Sequence, residues 1–144
     1  MELIFKPQDL MIGDWVMNTH NRKPEQVCEI RERMVMLDYN DLYDYDEIEP
    51  IPLASELLEQ NGFKLREGCT SAWDWHNGET SIHVSGNHTC PIGQTLTIYV
   101  PGGTVGAAFS SNRAISDLKI RGVHELQHAL NLCHIDKKIK VKED

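Results

Sequence analysis

The chain has 144 residues and a formal net charge of −8, from 22 acidic against 14 basic side chains, with 40% hydrophobic and 25% charged residues. That is the length of one ordinary domain, enough to bury a core without cross-links, in the composition of a globular rather than a disordered or fibrous protein. The acidic balance repels a phosphate backbone, so no nucleic-acid partner is expected, and no run approaches the ~18 apolar residues of a membrane span, so no membrane is expected either.

Met1 to Pro7 show no basic stretch ahead of a long apolar one, so no secretory leader is read and the expected compartment is the cytoplasm. Cysteine usage agrees. Cys28, Cys69, Cys90 and Cys133 are scattered without a C-x-x-C pair, which argues against a zinc ribbon or a thioredoxin-like motif and for free thiols.

From Ile12 to Glu49 the pattern is short and strand-like: Asp14 to Met17, Gln26 to Ile30, and Met34 to Leu37, bounded by turn material at Asn18 to Pro24 and Asp38 to Asp41. Strands this short and close together predict a small curled sheet, with an SH3-like barrel as the arrangement they suggest. The acidic run Asp38 to Glu49 is read as a solvated turn. It fails as a calcium loop, because Leu42 falls at a ligand position and Tyr43 where glycine must turn the chain.

Pro50-Ile51-Pro52-Leu53 cannot be helical and leads into a predicted short helix, Ser55 to Gln60, stopped by Asn61-Gly62 as a left-handed cap. Ala72 to His76 and Thr80 to Val84 flank Asn77-Gly78, a type I′ hairpin signal that puts Trp73 and Trp75 on one face and Ile82 and Val84 on one face of the partner strand. The two tryptophans are read as core aromatics first and as a docking face second. Leu96 to Val100 predicts a strand ended by Pro101-Gly102-Gly103, and 102–111 reads as loop or weak strand.

The last predicted element runs from about Gly122 to His134, where Val123, Leu126, Leu130 and Cys133 make one apolar stripe and His124, Gln127, His128 and Asn131 flank it as half-exposed polar residues. Lys137, Lys138, Lys140 and Lys142 follow, favourably placed for the negative end of the helix dipole.

This helix also spells a metal motif. His124 and His128, one turn apart, can present two imidazoles to one tetrahedral zinc, with Glu125 as general base and a zinc-polarised carbonyl as substrate. His134 stands where a longer H-E-x-x-H-x-x-G-x-x-H signature has its third ligand, with Asn131 in place of glycine at the turn. Against this, all five methionines lie upstream, so the methionine turn of metzincins has no counterpart among the ten residues after His134. A glutamate ligand on a following helix has only Glu143 to draw on, and nothing in the spacing of His76, His83 or His88 demands an upstream ligand.

Ile12-Gly13-Asp14-Trp15-Val16, then Tyr45 to Leu53 with Ile48-Glu49-Pro50-Ile51-Pro52-Leu53, then Asn61-Gly62-Phe63 and the final Val123-His124-Glu125-Leu126-Gln127-His128 helix, resemble a group of small bacterial and prophage proteins that carry no assigned activity. The resemblance covers roughly the first 63 residues and the last 25. It implies that the helix is there for packing, since members commonly have other residues at the positions of Glu125 and His134. It also marks Ala54 as standing where the group has a threonine N-cap, which leaves Ser55 to cap a shortened helix.

The expected fold is α+β: an N-terminal sheet of short antiparallel strands, a short central helix, a second antiparallel region with a hairpin, and a C-terminal helix packed on a sheet. It forms a single domain over 1–144, subdividing into a barrel-like sheet over 1–53 and the helix, hairpin and C-terminal helix over 54–144. The expected function is that of a non-enzymatic accessory or interaction protein with a protein partner and no cofactor. The alternative is a compact zinc-dependent peptidase with His124, His128 and His134 as ligands and Glu125 as base.

Overall fold

The computed structural model describes residues 5–39, 41–86, 94–105 and 108–141, with 102–105 and 108–113 described as backbone alone. It is an α+β fold of two five-stranded antiparallel sheets and two α-helices. His88 and Cys90, Lys142 and Glu143 lie outside the described residues.

The first sheet holds β1 (Trp15–Asn18), β2 (Lys23–Ile30), β3 (Met34–Leu37), β4 (Leu42–Asp44) and β5 (Ile48–Glu49), in the order β4-β3-β2-β1-β5. Alternation decides the faces: Val16, Val27, Val35 and Leu37 point inward to join Phe5, Leu10, Tyr45 and Ile48 in one apolar cluster. The buried Asn18 is satisfied by giving its Nδ2–H to Glu25 Oε1 at 2.5 Å and accepting the His20 N–H at 2.9 Å. The strand material is more extensive than the sequence pattern indicates. Lys23 and Pro24 already belong to β2, and the acidic run contains β4 and a 3-10 turn, Tyr45–Glu47. Its carboxylates build turns rather than only meeting water: Asp38 accepts the Gln26 N–H at 2.8 Å and Glu47 accepts the Asp44 N–H at 2.8 Å.

α1 (Ser55–Gln60) follows Pro52 with the bounds expected, and Gly62 takes the left-handed conformation at φ +87°. Its N-cap position is Ala54, without a side-chain hydrogen bond, and Ser55 is the first helical residue instead of the cap. The second sheet holds β6 (Lys64–Leu65), β7 (Ala72–Asn77), β8 (Thr80–Ser85), β9 (Gln94–Val105) and β10 (Ala108–Ile120), in the order β10-β9-β8-β7-β6.

The β7–β8 hairpin forms, with its turn one residue later than Asn77-Gly78. Asn77 pairs Thr80, so the two loop residues are Gly78 and Glu79, with a positive φ at Gly78 alone. That is the pattern of a type II′ turn, which needs glycine at its first central position. The cross-strand pairs are Trp73 with Val84 and Trp75 with Ile82, on the core face.

Pro101 does not end β9. The strand continues to Val105, because pairing with β8 stops at Tyr99 and the proline sits beside a register shift in a two-stranded extension, where its missing N–H breaks no inner ladder. The stretch read as loop or weak strand is thus strand on both sides of 106–107, and β10 itself carries no clear alternation to announce it.

α2 (Val123–Leu132) lies on the inner face of the second sheet. Val123, Leu126, Ala129 and Leu130 join Trp73, Ile82, Leu96 and Ile98 in the larger apolar cluster, which Trp15 and Met17 of the first sheet also touch. No described helix is long and apolar enough to cross a membrane.

Gly122 makes this helix start where it does. Its φ is +134°, and a Cβ there would stand 2.7 Å from the Ile51 carbonyl oxygen and 3.1 Å from Pro50 Cβ. The close approach lets the Val123 N–H donate to Ile51 O at 2.9 Å, satisfying one of the free amides of the first turn. Gly122→Ala should therefore cost about 2–4 kcal/mol in urea unfolding. Gly68→Ala, also at positive φ but with nothing within 4 Å, should cost about 1 kcal/mol. Equal losses in the two variants would show that the contact with Ile51 contributes nothing.

Candidate functional site

The three histidines of the metal motif sit in three different environments. His124 is 4% exposed, with the Phe5 ring edge-on at 4.9 Å and the His128 ring at 5.8 Å. Its Nδ1 is buried without a hydrogen-bond partner. The expectation that His124 is a half-exposed helix residue is corrected here: the N-terminal segment folds over that side of α2 and encloses it. Burial pushes the imidazole below its ordinary pKa, with the charges of Glu125 and Asp14 opposing the shift, so it is neutral at pH 7.

His128 is half-buried, and its Nε2–H donates to Asp14 Oδ2 at 2.6 Å. The same oxygen accepts the Met11 N–H at 2.8 Å. Asp14 is buried, so this is a charge-bearing contact shielded from water between the chain's two sheets, joining residues 114 apart in sequence. Glu125 turns back on its own helix, and Oε1 accepts the Arg121 N–H, a variant of the capping-box reach-back. That carboxylate holds a helix start.

His134 lies beyond the helix. α2 runs through Asn131 to Leu132, and the left-handed residue is His134 itself, at φ +58°. Its N–H donates to Asn131 O at 3.1 Å and the Ile135 N–H donates to Leu130 O at 2.9 Å, the paired bonds of a Schellman ending. In the longer zinc signature the chain turns at the glycine position to swing the third histidine round. Here the turn comes three residues later, and His134 is exposed. Among the described residues, the one group of three histidine, cysteine or carboxylate side chains whose ligand atoms lie within 4.8 Å of one another is Asp44, Asp46 and Glu47, not the histidines of α2.

His128 also borders a cleft of about 210 Å³ between α2 and β10, lined by Ile115, Leu118, Glu125 and Leu132. Leu118 and Leu132 are exposed there. Met11 and Ile12, in the segment that leads to Asp14, are exposed as well. Trp73 and Trp75 offer no comparable surface. Trp73 is buried, and Trp75 is covered by Lys137, whose Nζ stands 4.8 Å from its ring. Burial lowers the pKa of that lysine.

A second polar constellation occupies the outer face of the second sheet, and the sequence pattern did not disclose it. Arg66 grips Asp74 with two bonds, Nε–H to Oδ2 at 3.0 Å and Nη2–H to Oδ1 at 2.8 Å. His83 Nδ1–H donates to Asp74 Oδ1 at 2.6 Å, and its Nε2 lies 3.1 Å from Ser81 Oγ. These partners hold Asp74 ionised, with its pKa lowered to about 2 from 3.8, the Arg66 bonds contributing most. The serine–histidine–aspartate order invites a nucleophilic reading. Ser81, however, lies on β8, which is paired on both sides, so its neighbouring amides are committed to the ladders and cannot receive an oxyanion. The signal for this network was available as alternate polar residues at 74, 81 and 83, once the hairpin register is known.

No family model, curated protein or solved structure matches this chain.

The buried His124 yields a pH prediction. Because its folded pKa lies below the unfolded value of 6.5, the unfolded chain binds the extra proton first. Stability should be complete above that value and fall as pH drops below it, by up to about 1.4 kcal/mol per pH unit. Urea midpoints measured between pH 7.5 and 5 should show this slope, and His124→Phe should flatten it. An unchanged slope in the variant would assign the effect elsewhere. Asp14→Ala should cost about 2–3 kcal/mol at pH 7, by stranding the Met11 amide and the His128 N–H, read from the same unfolding curves.

Proposed function

We propose that the chain is a non-enzymatic interaction protein of bacterial or prophage origin, docking a protein partner through apolar side chains left outside its two cores. The observation that carries this reading is the distribution of large exposed hydrophobics. Ile12, two residues before Asp14, is 68% exposed, and Leu132, one turn beyond His128, is 75% exposed. Isolated exposed leucines are ordinary, but four of the six large exposed hydrophobics among the described residues either precede Asp14 in the chain, as Met11 and Ile12 do, or line the cleft beside His128, as Leu118 and Leu132 do, which is the composition of a docking patch. Each such side chain contributes about 1.5–3 kcal/mol if fully covered by a partner.

Two further features support the reading. The strand order β4-β3-β2-β1-β5, with a 3-10 turn before the last strand, supports reading the first sheet as an SH3-like scaffold, whose exposed strand edges suit docking. The net charge of −8 favours a protein over a nucleic acid as partner, and the free thiols Cys28, Cys69 and Cys133 favour the cytoplasm as the compartment. The bacterial or prophage origin rests on the resemblance described above. Glu125, engaged at its own helix start, and His134, beyond the helix, weigh against the peptidase alternative.

A photo-crosslinking residue at Ile12 or at Leu132, introduced into the chain in bacterial cells, should give one discrete adduct of the same mass from both positions. The same residue at the exposed Glu56 of α1 should give none. Indistinguishable, diffuse labelling at all three positions would overturn the docking reading. Protein purified without added metal should contain far less than one zinc per chain by elemental analysis. Near-stoichiometric zinc that disappears in His128→Ala would put the peptidase reading in its place.

A further inference from the structure

The outer face of the second sheet carries a cleft of about 350 Å³, within the range of small-molecule sites, walled by Arg66, His83, Thr95, Thr97, Tyr99 and Asp117. Three features set it apart from an ordinary solvated sheet face.

The first is a local distortion that shapes it. β10 breaks register between Ile115 and Leu118, and Asp117 within that bulge has φ +51°, a left-handed conformation inside a strand. Aspartate tolerates that conformation better than most residues, yet it is strained, and bulges re-aim side chains beside sites. Here the Asp117 N–H donates to Thr97 Oγ1 at 3.2 Å, and the residue lines the cleft.

The second is pre-organisation. Arg66 and His83 are both fixed by Asp74, so neither side chain has to be ordered when a ligand arrives. Thr95 Oγ1 accepts from Lys119 Nζ at 2.7 Å and is likewise held. His83 stands edge-on to the Tyr99 ring at 5.6 Å, which fixes the aromatic wall.

The third is the balance of donors and acceptors. Asp74 offsets the Arg66 charge and Asp117 stands against the Lys119 ammonium at Thr95, so the cleft has no net pull on phosphate or carboxylate. One carboxylate beside a guanidinium is equally unsuited to a hard cation, which wants six or more oxygen ligands. Hydroxyls that both donate and accept, flanked by one carboxylate acceptor, one fixed donor and one aromatic ring, match a ligand whose own groups do the same.

We propose that this cleft binds a neutral polyhydroxylated ligand of about one hexose unit, with Asp117 accepting from its hydroxyls, Arg66 and the threonines donating to them, and the Tyr99 ring lying against its carbon face. This site lies on the opposite face of the second sheet from α2, so it stands or falls separately from the docking patch.

Titration of the full-length, ¹⁵N-labelled chain with methyl α-glucoside, methyl β-galactoside and methyl α-mannoside tests it. At least one glycoside should give saturable shifts at millimolar concentration, confined to the backbone amides of Thr95, Thr97, Tyr99, Asp117 and nearby Ser85. Asp117→Asn should weaken binding about tenfold, and so should Thr97→Val, with the rest of each spectrum unchanged. Absence of saturable shifts with all three glycosides would overturn the proposal. So would shifts induced by inorganic phosphate or magnesium chloride instead, or binding undiminished in both variants.

Discussion

Burial of α2 is the constraint on which the other features depend. A ten-residue helix is too short to persist in water on its own propensity, so its existence is a consequence of what it covers. One side lies on the core face of the second sheet through Leu126, Ala129 and Leu130, and the side carrying His124 and His128 faces the first sheet. Enclosure on two sides gives the histidines of α2 partners within the fold. Once the N-terminal segment covers His124 and Asp14 engages His128, the imidazoles are part of the junction between the sheets. Glu125 and His134 have corresponding duties at the two helix ends, one reaching back to a free amide and the other adopting the left-handed ending.

The same geometry separates two surfaces of different composition. Next to α2 the exposed groups include the apolar Leu118 and Leu132, beside the contact of His128 with the buried Asp14. On the far side of the second sheet they are polar, held by Asp74 and shaped by the bulge at Asp117. Alternation along β7, β8 and β9 produces this division: the residues between Trp73, Ile82, Val84, Leu96 and Ile98 necessarily face outward.

Much of the architecture was legible because the relevant signals are local. Proline and glycine bound α1, alternation marks β1, β3, β7 and β8, and the three-four spacing from Val123 to Leu130 marks α2. The errors arose where tertiary context overrides a local signal. Pro101 reads as a strand end until the outer portion of β9 is known to pair with β10 alone. Asn77-Gly78 reads as the centre of the turn, yet the register places Gly78 first in it. Leu42 to Asp44 is concealed by surrounding acids. The histidines of α2 were legible as a spacing and not as an environment, since nothing near them in sequence announces Phe5 or Asp14. The Arg66–Asp74–His83 network was illegible for the same reason, its members being brought together by strand pairing.

The bond from the Val123 amide to the Ile51 carbonyl, possible because residue 122 has no side chain, bears on how the polypeptide could be dissected. Separation at residue 53 follows the sheets but removes from the C-terminal piece the acceptor for its last helix and the segment that shields His124. It also deprives the N-terminal piece of the imidazole that accompanies Asp14. Neither fragment would inherit a finished surface, since Trp15, Met17, Ile51 and Leu53 all pack on the larger apolar cluster from the N-terminal side of the cut.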